Sequence, residues 1–229
     1  MKIKGLQKTT LLDFPEKVAC TVFTGGCNFR CPFCHNASLV LAPTEVTDIS
    51  EQEFFSFLDR RRGILDGVCV TGGEPLLQQD IIPFLEHIHS LGFSIKLDTN
   101  GWYYDKLKNI ISLGLIDYVA MDIKNTREKY ALTAGIPSVS EDVFRSIDLI
   151  MSCGLPYEFR TTVVRELHTM EDIRDIAVSI KGASQYYLQC FKDSGDLIGT
   201  GYSAHSEDTM RSMLEIIRPY VGKCALRGM

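Results

Sequence analysis

Several features that are common in proteins of this length are missing from the sequence. No apolar run approaches the roughly 20 residues that a membrane-spanning helix needs, and the opening residues, MKIKGLQKTT, lack the apolar region of a signal peptide. There is no excess of basic residues either, since 24 Lys and Arg stand against 29 Asp and Glu. The net charge of −5 argues against a nucleic-acid-binding protein, whose affinity depends on neutralising phosphates. We therefore expect a cytoplasmic protein that binds neither membranes nor nucleic acid.

No linker, internal repeat or low-complexity segment interrupts the chain. Hydrophobic residues make up 45% of it and charged residues 23%, and 229 residues can enclose a large core. We therefore predict a single domain over residues 1–229.

Most of the eight cysteines have no neighbour at metal-binding spacing. Cys20, Cys69, Cys153, Cys190 and Cys224 are scattered singly, without a C-x2-C pair, which argues against a second cluster. In the cytoplasm such residues are expected to be buried thiols rather than disulfides. The histidines at 87, 89, 168 and 205 also show no spacing that is typical of a site.

The remaining three cysteines form the motif Cys27-x3-Cys31-x2-Cys34 in a loop that we place at residues 24–36, hereafter the cysteine loop. Three thiolates this close suit an iron–sulfur cluster, in which each iron takes one cysteine. The loop has no fourth ligand, so one iron of a four-iron cluster would keep an open position, as catalytic metals do. A zinc ion would need a fourth ligand, for which His35 is poorly placed beside Cys34. A zinc site and a purely structural loop are the alternatives.

Short apolar runs alternate with amphipathic segments of helix length along the rest of the chain. Repeated βα units predict a parallel sheet with helices outside, wound by right-handed crossovers toward a barrel. Six strands suit this length better than the eight of a full barrel, so the predicted fold is α/β, a partial (β/α)6 TIM-like barrel. Ser50 and Glu53 have the spacing of a capping box at the start of the first long helix. The predicted strands are 18–23, 68–71, 94–98, 118–123, 157–163 and 185–189, with an edge strand or hairpin within 3–16; the predicted helices are 50–62, 78–91, 103–113, 141–153, 171–181 and 206–218.

Functional residues in such folds gather at the carboxyl ends of the parallel strands. Here these ends carry three thiols, a glycine pair, carboxylates and cations, and we interpret them as one site. The strand-end residues are Cys27, Cys31, Cys34, Gly72, Gly73, Glu74, Asp98, Thr99, Asn100, Gly101, Asp122, Lys124, Arg160 and 189–192.

The sequence Gly72-Gly73-Glu74-Pro75 follows the second predicted strand. Two glycines let a ligand approach the backbone closely, and the Glu74 carboxylate can accept a hydrogen bond from an ammonium group. The alternative is an ordinary turn between a strand and a helix.

The sequence Asp98-Thr99-Asn100-Gly101 follows the third predicted strand. Asn-Gly is typical of a turn, and Thr99 or Asn100 can cap the next helix. Neither reason explains a charge at Asp98, which therefore indicates contact with a ligand.

Asp122 and Lys124 lie two residues apart and thus on one face of a strand. They suit a ligand site, and a buried ion pair is the alternative. Arg160 lies in the next predicted strand, 157–163, and its guanidinium is shaped for a bidentate contact with a carboxylate. A surface salt bridge is the alternative for Arg160.

The motif C-x3-C-x2-C after one strand and Gly-Gly-Glu-Pro after the next resemble the radical S-adenosylmethionine (SAM) enzymes. The stretch TTLLDFPEKVACTVFTGGCNFRCPFCHN is similar to the start of glycyl-radical-enzyme activases, most of all the group that activates anaerobic ribonucleoside-triphosphate reductase. The resemblance runs from about Gly5 to the C-terminus. Some activases carry a His on the sixth strand, whereas this chain has Gln189 in the run YYLQCFK, which fits the ribonucleotide-reductase group better than the pyruvate formate-lyase activase.

The resemblance implies a [4Fe–4S] cluster with an open iron, SAM bound at that iron, and a monovalent cation nearby. Each predicted site residue takes a part from the family pattern. The three cysteines hold the cluster, Phe33 lies against the adenine, and Gly72, Gly73 and Glu74 hold the methionyl amino group. Asp98 binds the ribose hydroxyls or a nearby cation, Thr99 contacts the ligand, Lys124 lies toward the ribose, Asp122 lies toward the cation, and Arg160 binds the SAM carboxylate.

The resemblance further implies that the reduced cluster cleaves SAM to methionine and a 5′-deoxyadenosyl radical, with no catalytic side chain beyond the cluster and SAM. The leading hypothesis is that the radical takes a hydrogen atom from a glycine of a partner, a glycyl radical enzyme, with a flavodoxin- or ferredoxin-type protein as electron donor. One alternative is a radical SAM enzyme that acts on a small molecule, of the 7-carboxy-7-deazaguanine synthase type. Another is an electron-transfer or structural module that binds a cluster or zinc.

Overall fold

A single sheet organises the computed structural model, which describes all 229 residues. Its eight strands lie side by side in chain order; the first is antiparallel to the second and the others are parallel. The first and last strands form the two edges, so the sheet is a partial barrel. The strands are β1 (Ile3–Thr10), β2 (Ala19–Thr24), β3 (Gly67–Gly72), β4 (Ser94–Thr99), β5 (Tyr118–Asp122), β6 (Tyr157–Val163), β7 (Gln185–Cys190) and β8 (Lys223–Arg227).

Helices connect the parallel strands and pack on one face of the sheet. None of them is both long and apolar enough to cross a membrane. The helices are α1 (Ala37–Leu41), α2 (Glu51–Asp59), α3 (Ile81–Ser90), α4 (Tyr104–Ser112), α5 (Tyr130–Ala134), α6 (Glu141–Ser152), α7 (Met170–Ser179) and α8 (Glu207–Ile217), with a 3₁₀ turn at Pro75–Leu77.

The predicted α/β partial barrel is confirmed, and the six predicted parallel strands correspond to β2 through β7 within one residue at either end. The edge strand expected within 3–16 is β1. The sequence prediction missed β8, a five-residue edge strand that is only half-buried and therefore has no apolar run. It also missed α1 and α5, which at five residues each are too short to show a helical period.

Capping interactions set several helix starts. At α2 the Ser50 Oγ accepts a hydrogen bond from the Glu53 N–H at 3.1 Å, which is one half of the predicted capping box. The complete reciprocal box forms at α7, where Thr169 caps the helix and the Asp172 carboxylate accepts from the Thr169 N–H. The α2 helix ends at Asp59, earlier than predicted.

The two faces of the sheet differ in chemistry, because side chains alternate between them along every strand. The outer face joins the helices in a cluster of 49 buried apolar residues. On the inner face, Phe14, Ala19, Tyr118 and Ala120 form a separate apolar cluster near the amino ends of the strands. Toward the carboxyl ends the inner face becomes charged, and the candidate site lies there.

Candidate functional site

A cavity of about 220 Å³ opens at the carboxyl ends of the parallel strands. All of the residues that the sequence singled out for a cluster and SAM line it, although they come from five different strand ends. These residues are Cys27, Cys31, Phe33, Cys34, Gly72, Gly73, Glu74, Asp98, Thr99, Asp122, Lys124 and Arg160. The structure thus brings the whole predicted set together.

The cysteine loop follows β2 and rests on two short helices that the sequence did not reveal. The Gly26 N–H donates to the Leu39 carbonyl in α1 at 2.8 Å, and the Arg30 N–H donates to the Ala134 carbonyl in α5 at 2.9 Å. Gly135 ends α5 at φ +64°, and a Cβ there would lie 2.2 Å from the Arg30 carbonyl oxygen. The loop can approach α5 this closely only because that residue is glycine.

Residues after β7 cover the outer side of the cysteine loop. The Gly199 N–H donates to the Pro32 carbonyl at 2.8 Å, and the His35 ring stacks on Phe191 with 5.8 Å between ring centroids. The Asn36 amide donates to the Gly72 carbonyl at 3.4 Å. His35 and Asn36 therefore order the loop, although both also line the cavity.

The glycine pair makes room for the cysteine loop as well as for the cavity. A Cβ on Gly73 would lie 1.9 Å from the Gly26 carbonyl oxygen, and one on Gly72 would lie 2.2 Å from the Thr24 backbone nitrogen. The Gly26 carbonyl accepts from the Glu74 N–H at 2.8 Å. The sequence predicts that a ligand approaches the backbone of this glycine pair. In the structure, the backbone of the cysteine loop also packs directly against it.

The Glu74 side chain is buried and joins the ends of β3 and β4. Its Oε1 accepts from the Leu76 N–H at 3.0 Å and from the Thr99 hydroxyl at 2.8 Å, and its Oε2 accepts from the Asn100 N–H at 2.8 Å. Burial raises the pKa of Glu74 to about 7, against the opposing effect of these hydrogen bonds. Thr99 therefore positions Glu74, and α4 begins without a side-chain cap from Thr99 or Asn100.

The charged residues at the cavity floor form one ion-pair chain across β4, β5 and β6. Arg160 bridges two carboxylates, with Nη1 at 3.1 Å from Asp98 Oδ2 and Nε at 2.8 Å from Asp122 Oδ1. Lys124 Nζ lies 3.1 Å from Asp122 Oδ2, and Lys96 pairs with the other oxygen of Asp98. Lys96 does not itself line the cavity, where the charges of Lys124 and Arg160 balance those of Asp98 and Asp122.

These ion pairs control the ionisation of both aspartates. Burial raises their pKa values, but the Arg160 guanidinium opposes it in both, together with Lys96 at Asp98 and Lys124 at Asp122. The pKa of each carboxyl therefore lies below its ordinary value, and both are ionised at neutral pH. Because each oxygen already has a cationic partner, the geometry gives no support to the predicted monovalent cation.

A second ion pair, between Arg227 and Glu158, lies on the inner face of the sheet beneath the ion pairs of Arg160. Arg227 on β8 donates to both oxygens of Glu158 at 2.7 Å each, and the Tyr118 hydroxyl donates to Glu158 Oε2 at 3.1 Å. Arg160 Nη1 lies 3.9 Å from Glu158 Oε1, so the two networks touch.

Both alternatives that the sequence left open for the floor residues can now be compared with the structure. Asp122 and Lys124 do form an ion pair, as the first alternative expects, and both still line the cavity. The surface-salt-bridge alternative is wrong for Arg160, because its side chain is only 13% exposed and lies among carboxylates.

The three thiols suit an iron–sulfur cluster better than a single zinc ion. All three thiols line the cavity, and a four-iron cluster takes one thiolate at each of three irons, whereas a structural zinc ion takes four protein ligands and the cysteine loop offers three thiols. Burial raises the pKa of Cys27 to about 12 and that of Cys31 to about 11. Both are neutral thiols until iron binds and displaces the protons. The donor set therefore fits the cluster.

Beyond the residues assigned to the cluster and SAM, other residues line the cavity, and two of them, Asn100 and Gln189, were already among the strand-end residues that the sequence indicates. Asn100, assigned to a turn or a cap, donates from its amide to Asn28 Oδ1 at 2.9 Å and lies 3.8 Å from Cys27 Sγ, so it ties β4 to the cysteine loop. Thr162 and Gln189 face each other at 3.4 Å across β6 and β7. The position of Thr162 and Gln189 near the carboxyl ends of β6 and β7 is the sequence feature that indicates a place in the cavity. The other lining residues are Phe29, His35, Asn36, Val40 and Thr71.

A second cavity, of about 440 Å³, lies outside the barrel between α6, α7 and the residues after β5. None of the predicted site residues lines it, and its walls combine Arg127 with Glu128, Asp148 and Asp175. The predicted site residues therefore all line the strand-end cavity.

Comparisons with known proteins agree with this geometry. Residues 21–180 match the Radical SAM superfamily. A protein of Methanocaldococcus jannaschii named "Putative glycyl-radical enzyme activating enzyme MJ1227" is 31% identical, over 98% of this chain and 95% of its own length. The GTP 3′,8-cyclase of Nautilia profundicola is 28% identical, over 72% of this chain and 54% of the cyclase.

A solved structure supports the fold. A domain of the pyruvate-formate lyase-activating enzyme from Bacteroides vulgatus ATCC 8482 has a TM-score of 0.59 at 19% identity, covering 71% of this chain and 99% of that domain. Together with the match over residues 21–180, the three thiols beside the glycine pair lead to one conclusion. The chain belongs to the radical SAM superfamily, which implies a [4Fe–4S] cluster and SAM as its cofactors.

Proposed function

We propose that this protein generates a glycyl radical on a partner enzyme of the anaerobic ribonucleotide reductase type. One observation carries the proposal: residues chosen from five strand ends line one cavity beside three thiols. Nearly full-length similarity to the M. jannaschii protein supports the activating role, whereas the chain covers only 54% of the GTP 3′,8-cyclase.

In this proposal Cys27, Cys31 and Cys34 would hold the cluster, with SAM bound in the cavity beside it. When bound, the reduced cluster and SAM supply a 5′-deoxyadenosyl radical, which takes a hydrogen atom from the substrate. Hydrogen-atom abstraction needs no general base, so no side chain is assigned that role. Its own contribution is to orient SAM and to exclude water, for which the buried ring of Phe33 forms an apolar wall.

The charged floor orients SAM. Arg160 and Lys124 line the cavity while paired with Asp122, so they are fixed before any ligand arrives. We assign the SAM carboxylate to the Arg160 guanidinium, whose shape suits that contact, and Lys124 with Asp98 would contact the ribose. Since both aspartates are paired with cations, the proposal includes no monovalent cation.

At the opposite wall, Gly72 and Gly73 expose backbone groups to the cavity, and Glu74 lies behind them. The methionyl ammonium of SAM is the cation that would meet this wall. An adjacent ammonium favours the ionised form of Glu74 and would lower its raised pKa.

The substrate is proposed to be a glycine Cα–H on a protein, with a flavodoxin- or ferredoxin-type donor supplying the electron in the cytoplasm. The alternative is a radical SAM enzyme for a small molecule, of the 7-carboxy-7-deazaguanine synthase type. A glycyl radical enzyme encoded beside this chain would be the partner to test.

The experiment compares wild type with Cys31→Ser and with Cys153→Ser as a matched control, because Cys153 lies outside the cavity. Anaerobically purified wild type and control should show iron–sulfur absorbance and release 5′-deoxyadenosine from SAM after reduction, and Cys31→Ser should do neither. A glycyl radical signal by electron paramagnetic resonance after addition of the partner supports the activase. SAM cleavage that is stimulated by a small molecule and never yields a protein radical would favour the alternative, and absence of any cluster would overturn both.

A further inference from the structure

His168 is a buried histidine between β6 and α7 to which the sequence pattern gives no part, and the structure leaves 1% of it exposed. Its Nδ1 accepts a hydrogen bond from the Val164 N–H at 3.1 Å, and its Nε2 lies 2.8 Å from the Lys124 carbonyl oxygen. A backbone N–H can only donate and a carbonyl can only accept. The Val164 carbonyl oxygen also lies 3.3 Å from Nδ1, but only a proton on Nε2 satisfies both the Val164 N–H and the Lys124 carbonyl, so the ring is assigned as the neutral tautomer protonated on Nε2.

The partner of His168 is the backbone of a residue whose side chain lines the cavity. Lys124 lies two residues beyond the end of β5, outside the ladder of sheet hydrogen bonds. Its carbonyl is held by His168, while its ammonium pairs with Asp122 at 3.1 Å. The imidazole thus fixes the backbone from which the Lys124 side chain reaches the cavity.

Asn125, the residue after Lys124, also holds the segment after β5 to the segment after β6. The Asn125 amide, also buried, donates to the Thr133 hydroxyl in α5 and to the Leu167 carbonyl, each at 2.9 Å. Leu167 directly precedes His168. Two successive residues after β5 are therefore hydrogen-bonded to two successive residues after β6.

A third strand end joins through the backbone of His168. The His205 Nε2, from the residues after β7, lies 2.9 Å from the His168 carbonyl oxygen. His168 thus connects the segments after β5, β6 and β7, the first of which carries Lys124 into the cavity. No other histidine in the chain joins three strand ends in this way.

We propose that His168 is a positioning residue that holds Lys124 in place for SAM. The inference rests on the proposed function, in which Lys124 contacts SAM. A ring with two fixed hydrogen bonds determines where the Lys124 backbone lies, and a displacement of about 1 Å at a binding group is enough to weaken a site.

The test is a double-mutant cycle on the reconstituted holoenzyme, read out as the dissociation constant for SAM. His168→Phe keeps a flat aromatic ring, slightly larger than the imidazole, and removes both hydrogen bonds. It should raise the dissociation constant roughly tenfold in the wild-type background and less than about twofold in a Lys124→Met background, because the effect passes through Lys124. His168→Gln, whose amide can still donate to the Lys124 carbonyl, should stay within about threefold of wild type.

Thr169→Ala is the matched control, because it removes the α7 cap one residue away and costs helix stability without touching Lys124. It should leave the SAM dissociation constant unchanged. In the cluster-loaded His168→Phe protein, hydrogen exchange of the amides at 123–126 should accelerate, whereas Thr169→Ala should not affect them.

Each contrary outcome has its own meaning. Equal losses of SAM affinity from His168→Phe in both backgrounds, or equal losses from Thr169→Ala, would overturn the proposal in favour of a general structural role. If Lys124→Met leaves SAM affinity intact while SAM is still cleaved, the positioning proposal fails and the radical SAM activity stands. A wild-type protein without a cluster or SAM binding would instead overturn the proposed function itself.

Discussion

The two faces of β4 show two different uses of buried surface. Ile95 and Leu97 face outward into the apolar cluster beneath the helices, and both are fully buried. Lys96 and Asp98 alternate with them on the inner face and are nearly as buried, at 1% and 9% exposure. Burial alone therefore does not distinguish the faces. The outer face removes apolar area from water, whereas the inner face encloses charges that must find partners.

This difference indicates what each face is for. Apolar burial stabilises the fold directly, but a buried ion pair is often no more stabilising than apolar residues of the same volume. The charges on the inner face are therefore poorly explained by stability alone. They are well explained by a site that needs fixed charges before its ligand binds.

The largest loss of stability should follow from removing the guanidinium of Arg160, which pairs with both Asp98 and Asp122 on the inner face. Arg160→Leu leaves Asp98 with Lys96 alone and Asp122 with Lys124 alone, so buried carboxylate oxygens lose their partners. We expect a loss of about 3–5 kcal/mol in the free energy of unfolding, measured by urea denaturation, together with loss of SAM binding.

The control for Arg160 is Arg62→Leu, which breaks an exposed salt bridge to Asp59. Exposed pairs are worth about 0–1 kcal/mol, so this variant should unfold almost as wild type does. If the two arginine variants lost equal stability, the contrast between buried and exposed charge would be wrong.

Removing an apolar side chain from the outer face should lower the free energy of unfolding somewhat less than Arg160→Leu does, and it should leave SAM binding unchanged. Leu97→Ala removes a fully buried side chain next to Asp98 but on the opposite face. The lost apolar contact and the cavity left behind should cost about 2–5 kcal/mol. The protein that remains folded should bind SAM with unchanged affinity, measured by titration at low temperature. A large loss of affinity would mean that the two faces are not independent.

The same contrast explains what the sequence could predict. The outer face shows in apolar runs of four to six residues, so β2 through β7 and six helices were predictable, and the strand-end rule gathered the site residues. The partners of those residues were not predictable, because the contacts between strand ends join residues far apart in sequence. The pairs Asn100 with Asn28, His168 with Lys124, and Gly135 with Arg30 have no local pattern.

Acid should weaken the inner face before the outer one. The pKa values of Asp98 and Asp122 lie below their ordinary value of about 3.9. A carboxyl with a lowered pKa in the folded state contributes stability above the unfolded value and loses it as the pH falls. At pH 6, Asp122→Asn should therefore be less stable than wild type, and the gap should narrow below about pH 4. Urea denaturation from pH 6 to pH 3 measures the gap, and a gap independent of pH would contradict the ion-pair explanation.

The smallest effect should come from the edge of the inner face, where Arg227 meets Glu158 through two hydrogen bonds. Arg227→Lys keeps the charge but loses the second bond and the stacking of the guanidinium on Tyr187, whose ring centroid lies 3.5 Å away. It should cost about 1 kcal/mol in unfolding free energy. Arg227→Leu should cost more, because the Glu158 carboxylate, 1% exposed, would lose its cation. Equal losses from the two variants, measured by urea denaturation, would show that the inner face depends on bidentate geometry rather than on neutralised charge.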